Sequence, residues 1–122
     1  MVIKRFEEMK VWQDSRMITK HIYQISSMGK FAKDYGLRDQ IQRASVSVMS
    51  NIAEGYERDS NREFIKFLGY SKGSIGEVRS LLYVALDNEY LTEAKFEELR
   101  DESIAISQQL SNFEKYLRKN TR

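Results

Sequence analysis

The chain has 122 residues, no cysteine, no proline, and a formal net charge of +2 from 20 basic and 18 acidic side chains. That length makes one domain, large enough to bury roughly two-thirds of the surface of its unfolded chain without a disulfide or metal staple. Disulfides and thiolate metal sites are excluded, which suits a reducing cytoplasm; the near-neutral charge does not by itself point to nucleic acid; and no apolar run approaches the ~20 residues that a membrane span needs.

Residues 1–8 read as a short charged leader that lacks the apolar core of a signal peptide. A first helix is predicted over about 8–27, because Val11, Ser15, Ile18, Ile22 and Ile25 recur in steps of four and three, which hold one face of a helix inward. Trp12 and Tyr23 widen that face. Met28, Gly29 and Lys30 make a break, and 30–36 is a loop or short turn anchored by Phe31 and Tyr35. A second helix over 37–56 carries the stripe Leu37, Ile41, Ala44, Val48 and Asn51. It stops at Gly55, since glycine tolerates left-handed backbone at a helix end. Ser60 and Glu63 form a capping box that opens a third helix over 60–88. Its stripe is Phe64, Leu68, Ser71, Ile75, Val78, Leu82 and Ala85. Thr92 caps a fourth helix over 92–119, with Phe96, Leu99, Ser103, Ile106, Leu110, Phe113 and Leu117 inward, and residues 119–122 fray. Helices of this size are each ~30–40 Å long. Short links between them predict an all-α, antiparallel up-down-up-down four-helix bundle with crossing angles near +20°.

Two features exceed a plain bundle. Ser15, Asn51, Ser71 and Ser103 occupy inward positions. Each serine either bonds back to its own helix or joins a structural polar layer of Gln40, Arg43, Ser47, Asn51 and Glu54 that specifies one packing. On the third helix, Gly69, Gly73, Gly76 and Ser80 cluster on the side away from Phe64 and Leu68. A glycine inside a helix costs about 1 kcal/mol relative to alanine, so a bare face needs a reason. An oligomer interface, where a second copy's backbone comes close, is the favoured one. A bend, a tight contact within one subunit, or a nucleic-acid backbone held by Arg62 and Lys66 are the others.

No catalytic, metal or cofactor site is expected. The one histidine, His21, lies on the flank of the first helix, and no His/Asp/Glu spacing resembles a zinc or di-metal motif. Gly69-x-x-x-Gly73-x-x-Gly76 sits within a helix, not at the strand-to-helix turn of a dinucleotide site. Paired carboxylates such as Glu97 and Glu98 fall on a solvated face. Charge is polarised, however. Seven acids against two bases lie between Asp87 and Glu102, and four bases without an acid lie between Lys115 and Arg122. The helix dipole favours that arrangement. Alternating helix direction brings the basic end towards Lys4, Arg5, Lys10 and the turn that carries Arg58 and Arg62. Arg58, Arg62, Lys66, Lys115, Arg118 and Lys119 are therefore the candidate nucleic-acid-binding residues.

The run Gly36-Leu37-x-x-Gln40-Ile41-x-Arg43-Ala44-x-Val46-Ser47-Val48-x-Ser50-Asn51-Ile52-Ala53-Glu54-Gly55 is distinctive. With Val11-Trp12-Gln13 and the stretch Phe64 to Glu77, it resembles the four-helix-bundle proteins encoded in intervening sequences of bacterial 23S ribosomal RNA genes, over nearly the whole chain. Met49 departs from many relatives, which carry proline there, and implies a straighter helix. The resemblance implies a homopentamer with a central pore and no enzymatic activity. Related accessory proteins of diversity-generating retroelements bind a reverse transcriptase and nucleic acid through a basic surface. Two readings follow: a non-enzymatic homo-oligomer that binds RNA or DNA, with or without a reverse-transcriptase-like partner, and a protein-only scaffold whose charges serve solubility.

Overall fold

The apolar stripes fold as helices. A computed structural model describes residues 3–120. Among these residues lie a single 3-10 turn, Phe6–Glu8, and five α-helices: α1 Lys10–Ser26, α2 Gly29–Lys33, α3 Tyr35–Tyr56, α4 Asn61–Asp87 and α5 Glu93–Lys119. Side chains stop the orphan amides at three helix starts. The Asp34 carboxylate accepts from Leu37 N at 3.2 Å, Ser60 Oγ from Glu63 N at 3.2 Å, and Thr92 Oγ1 from Lys95 N at 3.1 Å. Each such cap is worth about 1 kcal/mol. The stripe alone predicts the start of α3 at residue 37 and gives no role to Asp34.

α1 packs on α3 and α5, and α4 packs on the same two helices. Ile18, Ile22, Ile41, Leu68, Leu82, Leu99 and Leu110 are fully buried between them. Polar and aromatic pairs run in opposite order along neighbouring helices. Thr19 meets Ser45 and Ser26 meets Gln42 between α1 and α3. Ser71 meets Val48 and Glu77 meets Gln40 between α3 and α4. Phe64 meets Phe113 and Tyr83 meets Phe96 between α4 and α5. Asp14 meets Gln109 and His21 meets Glu102 between α1 and α5.

Among the described residues, the buried hydroxyls are all satisfied. Ser15 donates to Val11 O at 2.7 Å and Ser103 to Arg100 O at 2.6 Å, each within its own helix, so these two pack as polar alanines. Ser71 does not: its hydroxyl crosses to Val48 O of α3 at 2.6 Å. Thr19 bridges Ser15 O and Ser45 O at 2.7 and 3.1 Å.

Four expectations are corrected. Ile52, not Asn51, takes the inward position of α3; Ile52 is fully buried and Asn51 half-buried. Tyr23 is exposed, and α1 widens instead through Thr19 and Ser26, with Met9 buried just before the helix. Phe31 anchors the connection, stacked on Tyr90 at 5.4 Å, but Tyr35 is exposed and lies under the Arg38 guanidinium at 4.8 Å. Gly55 is not a left-handed stop: α3 ends at Tyr56, the predicted bound, and closes at Glu57 with ordinary right-handed backbone. The predicted fraying concerns residues that lie partly outside the described range, as do the first two of the predicted leader.

The end of α4 does show left-handed backbone, at Glu89 with φ of 60°. Tyr90 N–H reaches back to Ala85 O at 2.9 Å, which makes Glu89 the position where glycine ordinarily closes a helix. A side chain there costs roughly 1–2 kcal/mol, while glycine's extra freedom in the unfolded chain offsets about 0.4–1 of that. Glu89→Gly is expected to raise stability by about 0.5–1 kcal/mol, read as a melting temperature some 2–5 °C higher. A lower melting temperature would contradict this account of the turn.

Candidate functional site: a cationic end and a bare helix face

Among residues 3–120, no group of three or more histidine, cysteine, aspartate or glutamate side chains could hold a metal ion. His21 is half-buried, with Nδ1 3.1 Å from Glu102 Oε1, so it ties α1 to α5. Asp14 makes the same connection, accepting from Gln109 at 2.9 Å and from Lys10 at 2.6 Å. Burial pushes the Asp14 carboxyl up, but those bonds and the Lys10 charge outweigh it and hold it below the ordinary carboxylate value. No helix among these residues is long and apolar enough to cross a membrane.

What remains is surface. The α3–α4 turn, the amino-terminal segment and the last turns of α5 meet at one end. Tyr56 donates its hydroxyl to Ile3 O at 2.9 Å, and Phe64 meets Phe113 at 5.2 Å. All six predicted nucleic-acid-binding cations are exposed or half-exposed there. Two are engaged: Arg58 reaches Glu54 at 3.4 Å and lies 4.8 Å over the Phe67 ring, and Arg118 reaches Glu114 at 3.8 Å. Arg62, Lys66, Lys115 and Lys119 make no ion pair among the described residues. The negative ends of the α5 peptide dipoles favour Arg118 and Lys119 in its last turn. Acids interleave with these cations: Glu54, Glu57, Asp59, Glu63 and Glu114 belong to the same two stretches. The end is therefore only slightly positive, and its free cations are local.

The second surface is the outward face of α4. Gly69, Gly73, Gly76 and Ser80 are all exposed. A Cβ built on Gly73 or Gly76 would meet nothing within 4 Å, and one on Gly69 would meet only Glu114 Oε1 at 4.0 Å. A tight contact within one protomer is thus ruled out as the reason for these glycines. α4 also runs unbroken through them. Arg62 and Lys66 continue the same four-three stripe towards the cationic end.

The polar residues of α3 do not close into a buried layer within the protomer. Gln40 Nε2 donates to Glu77 of α4 at 3.1 Å, and Ser74 of α4 donates to Ser47 Oγ at 3.1 Å. Asn51 folds back on Ser47, donating to its carbonyl at 2.8 Å and its hydroxyl at 3.0 Å. Glu54 holds Arg58, and Arg43 is exposed without an ion pair among the described residues. Gln40, Arg43, Ser47 and Glu77 share a shallow groove of about 440 Å³ on the outer side of the α3–α4 seam.

One pair lies outside every stripe predicted from the sequence. Phe67 and Tyr70 sit three residues apart on α4, with ring centroids 5.4 Å apart and planes at 83°. Tyr70 is 49% exposed. The spacing of three marks them as neighbours on one helix face, but an outward face gives no burial pattern to single them out.

Three comparisons bear on this arrangement. The profile of the 23S rRNA-intervening sequence protein family matches residues 7–112. The chain is similar in structure to a protein of unknown function from the S23 ribosomal protein family of Bacteroides thetaiotaomicron VPI-5482, with a TM-score of 0.80 and 24% identity, over 86% of this chain and 95% of that one. At that identity the likeness shows the fold alone. No curated protein matches the chain. Because the profile match spans most of its length, the chain belongs to the 23S rRNA-intervening sequence protein family.

Proposed function

We propose that this member of the 23S rRNA-intervening sequence protein family is a non-enzymatic, self-associating helical bundle that binds RNA or DNA at its cationic end. The opposed order of the helix pairings supports an antiparallel up-down-up-down bundle. The bare face of α4 supports contact between copies, and five is the copy number that the resemblance of the 36–55 run implies. Lack of cysteine suits a cytoplasmic setting.

The nucleic-acid reading is carried by one observation: Arg62, Lys66, Lys115 and Lys119 lie at one end, open to solvent and without acidic partners among the described residues. Each cation that neutralises a phosphate releases a condensed counterion, which makes binding salt-sensitive and only weakly sequence-selective. The triple variant Arg62→Glu, Lys66→Glu, Lys119→Glu is expected to bind labelled RNA and DNA oligonucleotides at least about tenfold more weakly. Its salt slope should fall by roughly one for each phosphate that is no longer neutralised. All three side chains are exposed, so the circular dichroism spectrum should not change. Unchanged affinity would reject the reading. It would leave the protein-only scaffold, which the interleaved Glu54, Glu57, Asp59 and Glu63 favour and which predicts partner capture insensitive to nuclease.

A further inference from the structure

The corner where α3 turns into α4 carries more than charge. The Arg58 guanidinium lies 4.8 Å over the Phe67 ring, and Phe67 meets Tyr70 edge to face at 5.4 Å. That contact supports the Tyr70 ring from one side, and 49% of the residue stays exposed. The Tyr70 hydroxyl makes no hydrogen bond among the described residues, so no polar partner accounts for its position. Lys66 and Arg62 precede Tyr70 by one and two helical turns, about 6 Å apart along the axis, and both are exposed.

Two neighbours decide which polyanion suits this corner. A duplex keeps its bases stacked on each other and offers a protein mainly phosphate. Here Glu54, Glu57, Asp59 and Glu63 lie among Arg58, Arg62 and Lys66 in the sequence and lower the net attraction for phosphate. An unpaired base adds the missing contact, since every base has a face that stacks on an open aromatic ring. We propose that this corner binds a single-stranded polynucleotide, with an unpaired base stacked on Tyr70 and adjoining phosphates on Lys66 and Arg62. Arg58 and Phe67 act as positioning residues that hold the tyrosine ring. This rests on the nucleic-acid reading above and narrows it to strands with free bases.

The test is fluorescence anisotropy of the full chain with three labelled probes of equal length: oligo-U, oligo-dT and a blunt mixed-sequence duplex. At least one single strand should bind about tenfold or more tightly than the duplex. Tyr70→Ala should weaken that binding by roughly 5- to 100-fold, the usual loss per stacked base, and leave the duplex within about twofold. Tyr70→Phe keeps the ring and should bind as the parent does. If Tyr70→Ala binds single strands like the parent while the charge-reversed triple variant does not, the tyrosine site is refuted and the nucleic-acid reading stands. A preference for the duplex also refutes the site. If the parent binds none of the three probes, the reading on which the site rests fails with it.

Discussion

Gly55→Leu is expected to unfold the protomer at ordinary temperature or to cost at least about 3 kcal/mol, beyond the usual range for overpacking, because no rotamer avoids the clash. A Cβ at position 55 would lie 2.7 Å from Phe67 Cβ and 3.0 Å from Phe64 Cδ1, with Phe64 O at 3.4 Å. Phe67 Cβ is fixed to the α4 backbone, so it can yield only if the whole helix moves outward. Phe64 is buried and braced by Tyr56 and Phe113, at 6.0 and 5.2 Å. Alanine at the same site separates the two terms at work. It gains about 1 kcal/mol of helix propensity and still places the clashing Cβ. Gly55→Ala is therefore expected to lose a net 1–2 kcal/mol, roughly, seen as a melting temperature about 3–10 °C lower. A melting temperature equal to or above that of the parent would show that α3 and α4 do not approach so closely in solution.

Gly73→Leu should have the opposite signature. Nothing within 4 Å would meet its Cβ, and leucine is the better helix former by ~0.8 kcal/mol, so the protomer should keep its fold and its helical circular dichroism spectrum. If the bare face of α4 meets a second copy, however, the leucine fills the space that the other backbone occupies. The scattering mass should then fall from that of an assembly towards the 14.4 kDa of one chain. An assembly that survives this change would move the interface to another face, with the Gln40–Arg43 groove the next to test. The two glycine variants control for each other: one breaks the fold through an internal contact, and the other breaks only what lies outside it.

Much of this molecule is legible as spacing. The stripes of α1, α4 and α5 follow from the sequence nearly residue for residue, because burial along a helix repeats with the turn of the helix itself. The caps at Ser60 and Thr92 are legible for a similar reason: a hydroxyl three residues before an amide can close the first turn without outside help. The shift from Asn51 to Ile52 is not legible. A step of three and a step of four both keep a residue near the inward face, and only the lie of α4 against α3 selects the fourth. Gly55 has the same origin. A glycine near a helix end satisfies a left-handed stop and a close crossing equally well in sequence, and the approach of Phe67 Cβ settles the choice.

The sequence by itself determined the four long helices and the inward stripes of α1, α4 and α5, because those depend on neighbours within one turn. Tertiary structure alone decided that Ser71 bonds across to α3, that nothing in the protomer packs on Gly73 and Gly76, and that Arg58 and Phe67 brace Tyr70. Each of those depends on which distant segment lies alongside. Local periodicity carries no record of the distance between two helix backbones, and that distance fixes which groups touch.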